Sequence, residues 1–279
     1  MRGVTVITGG GGGMGLAAAK IVGRDRAVVI SDVNRDRLDA AVTELEQSGI
    51  ECKGFVCDIT DRKSVAELVD TSSAFGTVVS VIHTAGISPS MGAGARIMRI
   101  NAIGTVNVNE GFRRIAGEGF VLVNVASQAA HMLPRMLFPT KWFQYATHNE
   151  DAFMARMVFL CNLAPKNLRS DVAYCLSKSF VVWYCASQAA TFGHQGGRIV
   201  SISPGPIDNE MGRLEERGSA SIVRYAALSR FGKQDEIAEL LAFCASEKAG
   251  YLTGVDILCD GGAITSMTMK DKAAVTRYR

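Results

Sequence analysis

A run of five glycines stands where a short apolar segment gives way to a helical one: Val4-Thr5-Val6-Ile7-Thr8, then Gly9–Gly13, Met14 and Gly15. Val4–Thr8 reads as a buried strand and Met14–Val22 as a helix, so the glycines form the turn between them. Glycine lets such a turn take positive φ and lets its backbone approach a ligand closely. The first N–H groups of the helix, at the positive end of its dipole, then face that ligand. A phosphate loop of the nucleoside-triphosphate type would need Lys-Ser/Thr after the last glycine. Gly15 is followed by Leu16, which excludes it. The turn is read as a seat for a dinucleotide pyrophosphate. A plain flexible loop is the competing reading, and the strand-turn-helix setting disfavours it.

The alternation continues along the chain. Strands are expected at Ala27–Ser31, Gly54–Asp58, Val78–His83, Phe120–Ala126, Arg198–Ser203 and Val255–Cys259. Between them lie helical patterns from Asn34, a candidate cap, to about Gln47, from about Asp61, over Ile97–Ala116, over Ala173–Thr191 and over Asp235–Ala245. The strands are β-branched and do not alternate in polarity, which implies a parallel sheet covered by helices on both faces, a three-layer α/β/α arrangement. All 279 residues are expected to form one domain. Two parts stand outside the rhythm. Residues 131–169, with Pro134, Pro139, Pro165, Trp142 and Phe143 and a helical pattern near Glu150–Leu160, read as a helical insertion serving as a lid or an interface element. Residues 266–279 read as a loose tail.

Composition narrows the function. Thirty basic against 27 acidic residues leave a net charge of only +3, which does not suit a nucleic-acid partner. No apolar run reaches the length of a membrane span, and the N-terminus enters a strand at once, with no room for a signal peptide. Seven scattered cysteines without a C-x-x-C, and four histidines without an H-x-x-x-H, give no metal site; they point to a reducing, cytoplasmic setting.

The second strand ends at Asp32, 17 positions after Gly15. A carboxylate there accepts hydrogen bonds from an adenosine ribose and repels a 2′-phosphate. Val33 rather than Arg follows it and no basic residue sits just before Gly13, so NAD is favoured over NADP; Arg35 is the one nearby residue that softens the preference.

Further landmarks follow in order: Asp58-Ile59, His83-Thr84-Ala85-Gly86, Asn101, Ser127, Tyr174-x-x-x-Lys178, Ser203-Pro204-Gly205-Pro206-Ile207, Arg230-Phe231-Gly232 and Asp260-Gly261-Gly262. A Tyr-x-x-x-Lys pair alone is weak, since roughly 0.2 would occur by chance in such a chain. The ordered set is specific, and it resembles the short-chain dehydrogenase/reductase family across nearly the whole chain apart from the insertion and tail. The family usually has Asn-Asn-Ala-Gly where His83-Thr84-Ala85-Gly86 stands here.

The resemblance implies a Rossmann fold and a nicotinamide cofactor held by Gly9, Gly13, Met14, Gly15, Asp32, Asp58, Ile59, Ala85, Gly86, Tyr174, Lys178, Pro204 and Ile207. It implies catalytic roles for Asn101, Ser127, Tyr174 and Lys178. The chemistry suits those residue types. A phenol with a pKa near 10 is too weak a base at neutral pH. An ammonium one helical turn away favours its phenolate. Ser127 would hold the substrate oxygen, and Asn101 would position a proton-relaying water.

The pocket is expected at the carboxyl ends of the strands, lined by Ile87, Met91, Gln128, His131, Met132, Pro204, Met211 and Leu214. That lining is mostly apolar. The short Gly86-to-Asn101 and long Ser127-to-Tyr174 spacings look like the hydroxysteroid dehydrogenase/carbonyl reductase subgroup. The expected function is hydride transfer between NAD(H) and a hydrophobic secondary alcohol or ketone, steroid- or terpenoid-like. The expected assembly is a homo-oligomer, dimer or tetramer, with no nucleic-acid or membrane partner. Enoyl or imine reduction on the same scaffold and a non-catalytic nucleotide-sensing module are the alternatives.

Overall fold

A computed structural model describes residues 3–132, 138–209, 212 and 216–275. Its strands are β1 (Gly3–Thr8), β2 (Ala27–Asp32), β3 (Cys52–Val56), β4 (Thr77–His83), β5 (Val121–Val125), β6 (Arg198–Pro204), a short β7 (Ile207–Asp208), β8 (Gly232–Lys233) and β9 (Asp256–Cys259). Seven of them form one parallel sheet in the order β3-β2-β1-β4-β5-β6-β9, and β7 and β8 pair separately. The seven main strands are those expected, with β3 two residues earlier than its pattern suggested.

The helices before the insertion are α1 (Gly13–Val22), α2 (Arg35–Gln47), α3 (Arg62–Phe75), α4 (Gly94–Met98) and α5 (Gly104–Arg113). Within the insertion lie α6 (Thr140–Phe143) and α7 (Glu150–Leu163), followed by α8 (Arg169–Gly193). The last are α9 (Glu216–Val223), α10 (Gln234–Cys244), α11 (Ala263–Ser266) and α12 (Met269–Val275). Local chemistry sets several starts. Asn34 caps α2 by accepting from the Arg37 amide at 3.0 Å, and Asp61 caps α3 through the Lys63 amide at 2.9 Å.

Alternate residues of each strand serve opposite layers. Val4, Val6, Val29, Val81 and Leu122 pack with α3, α5 and α8. Ile7, Ile30, Ile82, Val123 and Ile202 pack with α1, α2 and α10. The fold is a three-layer, doubly wound, Rossmann-like α/β/α structure.

The insertion joins the first layer. Phe153, Met157 and Cys161 recur every fourth residue on α7 and are buried, as is Phe143 of α6. Phe143 meets Phe180 of α8 edge-on at 5.4 Å, and Phe153 lies 5.2 Å from the same ring. Arg99 clamps the start of α7 by donating to Glu150 at 2.8 Å.

Two expectations are corrected. The helix read over Ile97–Ala116 is broken: a π turn at Arg99–Ile103 separates α4 from α5. The tail read as loose from residue 266 is ordered to Val275: Met267 is buried, Asp271 accepts from the Thr268 amide at 2.9 Å, and Lys272 donates to the His131 carbonyl at 3.2 Å. No helix among the described residues is long and apolar enough to cross a membrane.

Candidate active site

The glycine turn lies between β1 and α1, at the point where the sheet runs out in both directions from β1 and β4. Gly9 and Gly13 take φ of +69° and +54°. The closeness of the turn shows in what an added Cβ would strike. At Gly9 it would lie 2.8 Å from the Ala85 nitrogen, at Gly10 2.7 Å from Ile30 Cβ, and at Gly15 2.4 Å from the Gly9 oxygen. The N-terminus of α1 carries no side-chain cap, so its first N–H groups face the space above the turn. This cradle fits a dinucleotide pyrophosphate.

Asp32 ends β2 beside the turn: a Cβ at Gly11 would sit 2.8 Å from its Oδ2, and its Oδ1 accepts from the Asn34 amide at 3.0 Å. Sequence reasoning missed Arg37. Its guanidinium reaches back to within 3.1 Å of where a Gly12 Cβ would stand. The available signal was its place in the first turn of α2, five residues after Asp32.

Asp58 shapes the next loop by accepting from the Thr60 amide at 2.8 Å, while Ile59 is buried against Gly104, and Asn107 donates to the Ile59 carbonyl at 3.0 Å.

His83 and Thr84 replace the family's two asparagines and still tie the sheet together. His83 Nδ1 meets Thr8 Oγ1 at 2.7 Å and Nε2 meets Thr105 Oγ1 at 3.1 Å, linking β4 to β1 and α5. Thr84 Oγ1 donates to the Thr8 carbonyl at 2.7 Å. Burial, and secondarily the charge of Lys178, push the His83 pKa down to about 3, so its ring is neutral.

The polar centre gathers on α8 and on the turn after β5. Tyr174, Lys178 and Ser127 line one cavity of about 140 Å³ together with Met14, Gly86, Pro204 and Ile207. Lys178 is buried, donates to the Val125 carbonyl at 2.9 Å and stands 5.8 Å from the Tyr174 ring centroid. Burial lowers its pKa to about 8. Ser127 caps the 3₁₀ turn Gln128–His131, accepting from the Ala129 amide at 3.2 Å.

Asn101 sits in the π turn, a device frequent at functional sites. Its Oδ1 accepts from the Ile87 amide at 2.9 Å, and its Nδ2 donates to the Ile87 carbonyl at 3.0 Å and to Ser177 Oγ at 3.2 Å. The amide thus fastens the loop after β4 to α8, one position from Lys178. A Cβ at Gly86 would crowd Asn101 Oδ1 at 3.1 Å and Lys178 Nζ at 3.6 Å, so this corner also depends on a glycine.

Of the expected pocket residues, Ile87, Gln128, Met132 and Pro204 line the cavity. Met91 and His131 do not. Met91 is exposed, and His131 Nε2 bonds the carboxylate of Asp256, whose side chain is buried, at 2.8 Å on β9. Met211 and Leu214 lie outside the described residues. Sequence reasoning missed Asp171 and Cys175, which line the cavity from α8; their spacing from Tyr174, one turn before and one residue after, was the available signal. No described residue of the insertion beyond Met132 lines the cavity.

Comparison with known proteins agrees with this geometry. Residues 3–138 match the family model described as short chain dehydrogenase, and residues 150–264 match that described as Enoyl-(Acyl carrier protein) reductase. The chain is 27% identical over 274 residues to the short-chain dehydrogenase/reductase bsc3 of Alternaria brassicicola, covering 95% of this chain and 97% of that one. It is 28% identical to D-threitol dehydrogenase of Mycolicibacterium smegmatis, covering 93% and 92%. Among solved structures, a short-chain type dehydrogenase/reductase from Mycobacterium ulcerans superposes with a TM-score of 0.75 at 25% identity, covering 95% and 90%. A blue fluorescent protein from a metagenomic library, solved with NADPH, superposes at 0.73 with 22% identity, covering 93% and 97%.

Proposed function

Because the chain belongs to the short-chain dehydrogenase/reductase family of oxidoreductases, we propose that it interconverts a secondary alcohol and a ketone with NAD(H) as coenzyme. One observation carries this reading: Ser127, Tyr174 and Lys178 meet in a cavity that also reaches the glycine-turn side of the sheet, through Met14 and Gly86.

When bound, the nicotinamide coenzyme supplies the hydride acceptor or donor. The chain's residues do the rest. Gly9, Gly13 and Gly15 seat the pyrophosphate, Asp32 the adenosine ribose, Asp58-Ile59 the adenine, and Ala85, Gly86, Pro204 and Ile207 the nicotinamide end. Ser127 holds the substrate oxygen. Tyr174 takes the hydroxyl proton in oxidation and returns it in reduction. The Lys178 ammonium, buried beside it, favours the phenolate and binds the nicotinamide ribose. Asn101 keeps α8 in register with the loop after β4.

Asp32 supports NAD over NADP, and Arg37 is the residue that narrows the margin. Apolar walls from Ile87, Pro89, Met132 and Ile222 support a hydrophobic substrate, and a steroid- or terpenoid-like alcohol or ketone is the one proposed. The match to the enoyl-reductase model favours a second reading, reduction of an enoyl bond. The Ser127/Tyr174/Lys178 set favours carbonyl chemistry over it.

A homo-oligomer is proposed as well. Phe243, Tyr251 and Val255 are exposed, Val255 directly before the edge strand β9, and a single species of monomer mass by light scattering would refute it.

The test of the function is fluorescence titration with NADH and NADPH, followed by an alcohol and ketone screen. Tighter binding of NADH and turnover of a ketone are expected. Binding of neither nucleotide would overturn the reading.

A further inference from the structure

Ser127 opens the 3₁₀ turn Gln128–His131, and His131 closes it. Ser127 Oγ accepts from the Ala129 amide at 3.2 Å, so the turn itself fixes where that hydroxyl stands. The turn's own backbone bonds are few: Ala130 N–H to the Ser127 carbonyl at 2.9 Å, and Met132 N–H to the Ala129 carbonyl at 3.3 Å. Bonding in a 3₁₀ turn is poorer than in an α-helix, so a turn this short relies on contacts from outside it.

The strongest of those contacts is polar and lies away from the cavity. His131 Nε2 stands 2.8 Å from Asp256 Oδ2, and the Asp256 side chain is only 3% exposed. Asp256 Oδ1 already accepts from Ser201 Oγ at 2.6 Å and Ser203 Oγ at 3.0 Å, both on β6. A carboxylate accepts at both oxygens, so the ring donates its Nε2–H to Oδ2. Bonds of this kind are about twice as strong as those between neutral groups. Asp256 is thereby held by two strands, β9 that carries it and β6 that bonds it, and cannot follow a moving turn. Weaker ties act at the same end. Lys272 of α12 donates to the His131 carbonyl at 3.2 Å, Ser179 of α8 reaches the Ala130 carbonyl only at 3.5 Å, and Met132 packs with Ile222, Ile264 and Met267.

We propose that His131 is a positioning residue: anchored through Asp256 to the β6–β9 side of the sheet, it sets the 3₁₀ turn and with it the place of the Ser127 hydroxyl, without lining the cavity itself. This rests on the dehydrogenase reading above, in which Ser127 holds the substrate oxygen. The Ala129 amide occupies a lone pair of Ser127 Oγ, which leaves the Ser127 O–H to donate to that oxygen. Donation serves the reaction only from the right place, since a misplacement of about 1 Å costs about 100-fold in rate. Tyr174 and Lys178 stand on α8, and the coenzyme cradle is built around β1. Loss of the anchor therefore slows the chemical step and leaves coenzyme binding alone.

The test compares the wild type with His131→Leu, which has no donor, and His131→Gln, whose amide N–H reaches the place of the ring Nε2–H. The first readout needs no substrate: amide hydrogen exchange resolved by NMR. In His131→Leu the Ala129 and Ala130 amides should exchange at least about 10-fold faster, with Val6 on β1 unchanged, and His131→Gln should restore them. The second readout is oxidation of 1-phenylethanol with NAD⁺. In His131→Leu kcat should fall at least about 10-fold, with KM and NADH affinity within about threefold, and His131→Gln should recover it. If the leucine variant folds poorly, His131→Ala, which admits water to Asp256, gives the same comparison. Unchanged exchange at Ala129 and Ala130, exchange that quickens equally across the sheet, an unchanged kcat in His131→Leu, or an equal loss in His131→Gln would each overturn the inference and leave the dehydrogenase reading standing. If the wild type does not oxidise 1-phenylethanol, the hydrophobic-alcohol reading fails, and the exchange rates alone decide whether His131 sets the Ser127 turn.

Discussion

The carboxyl edge of the sheet is built in two ways. Around β1 and β2 the cradle is almost all backbone: Gly9, Gly10 and Gly15 have no room for a side chain, and α1 offers bare N–H groups. Beyond β5 the site is all side chain, with Ser127, Asp171, Tyr174 and Lys178 projecting from a 3₁₀ turn and from α8. The helix that carries the last three is packed from behind by the insertion. A backbone cradle tolerates almost no substitution where neighbours touch it. A side-chain site tolerates exchange but depends on whatever braces its helix.

The largest expected effect tests that brace. Phe153 is fully buried between α7 and Phe180 of α8. Phe153→Ala should lower unfolding free energy by about 3–5 kcal/mol in denaturant melts, with NADH affinity changed less than threefold. A large loss of NADH affinity instead would join the two regions that the comparison separates.

His83 gives the next effect. Its folded pKa of about 3 lies below the 6.5 of an exposed histidine. Between those values the unfolded chain takes a proton that the folded chain refuses, so stability falls as pH drops, by about 1.4 kcal/mol per unit. Relative to His83→Asn, the wild type should lose about 3 kcal/mol between pH 6.5 and pH 4. A difference flat across that range would contradict the buried neutral ring.

Within the cradle, Gly15→Ala places Cβ 2.4 Å from the Gly9 oxygen, whereas at Gly13 nothing lies within 4 Å and only φ +54° resists. Gly15→Ala should weaken NADH binding by about 100-fold, roughly 2.7 kcal/mol. Gly13→Ala should cost about 1 kcal/mol of stability, with binding affected far less. Equal losses of binding would mean that strain in the turn, not close approach, governs the cradle.

The same division decides what could be read in the sequence. A backbone cradle leaves glycines, so the turn, Asp32 and the strand that follows it stood out. The Tyr174/Lys178 pair was legible because helical spacing alone puts i and i+4 on one face. The π turn was not, because the apolar pattern runs on through Ile100, Ala102 and Ile103 while the break is set by Asn101 bonding to Ile87 and Ser177 from distant segments. Arg37 was missed because its reach depends on how α2 tilts towards the turn. The insertion's helices were visible as a pattern near Glu150–Leu160, but their seat on α8 is fixed by ring packing that no spacing encodes. His131 looked like one more lining residue. Only its bond to Asp256 on β9, far off in the sequence, distinguishes it.

The most direct test of the account is Tyr174→Phe, which removes one oxygen from the cavity and leaves the cradle untouched. NADH should bind within about twofold of the wild type, while kcat for the alcohol or ketone falls by 10²–10⁴-fold, the range for loss of a general acid–base. Near-wild-type turnover in Tyr174→Phe would contradict the account.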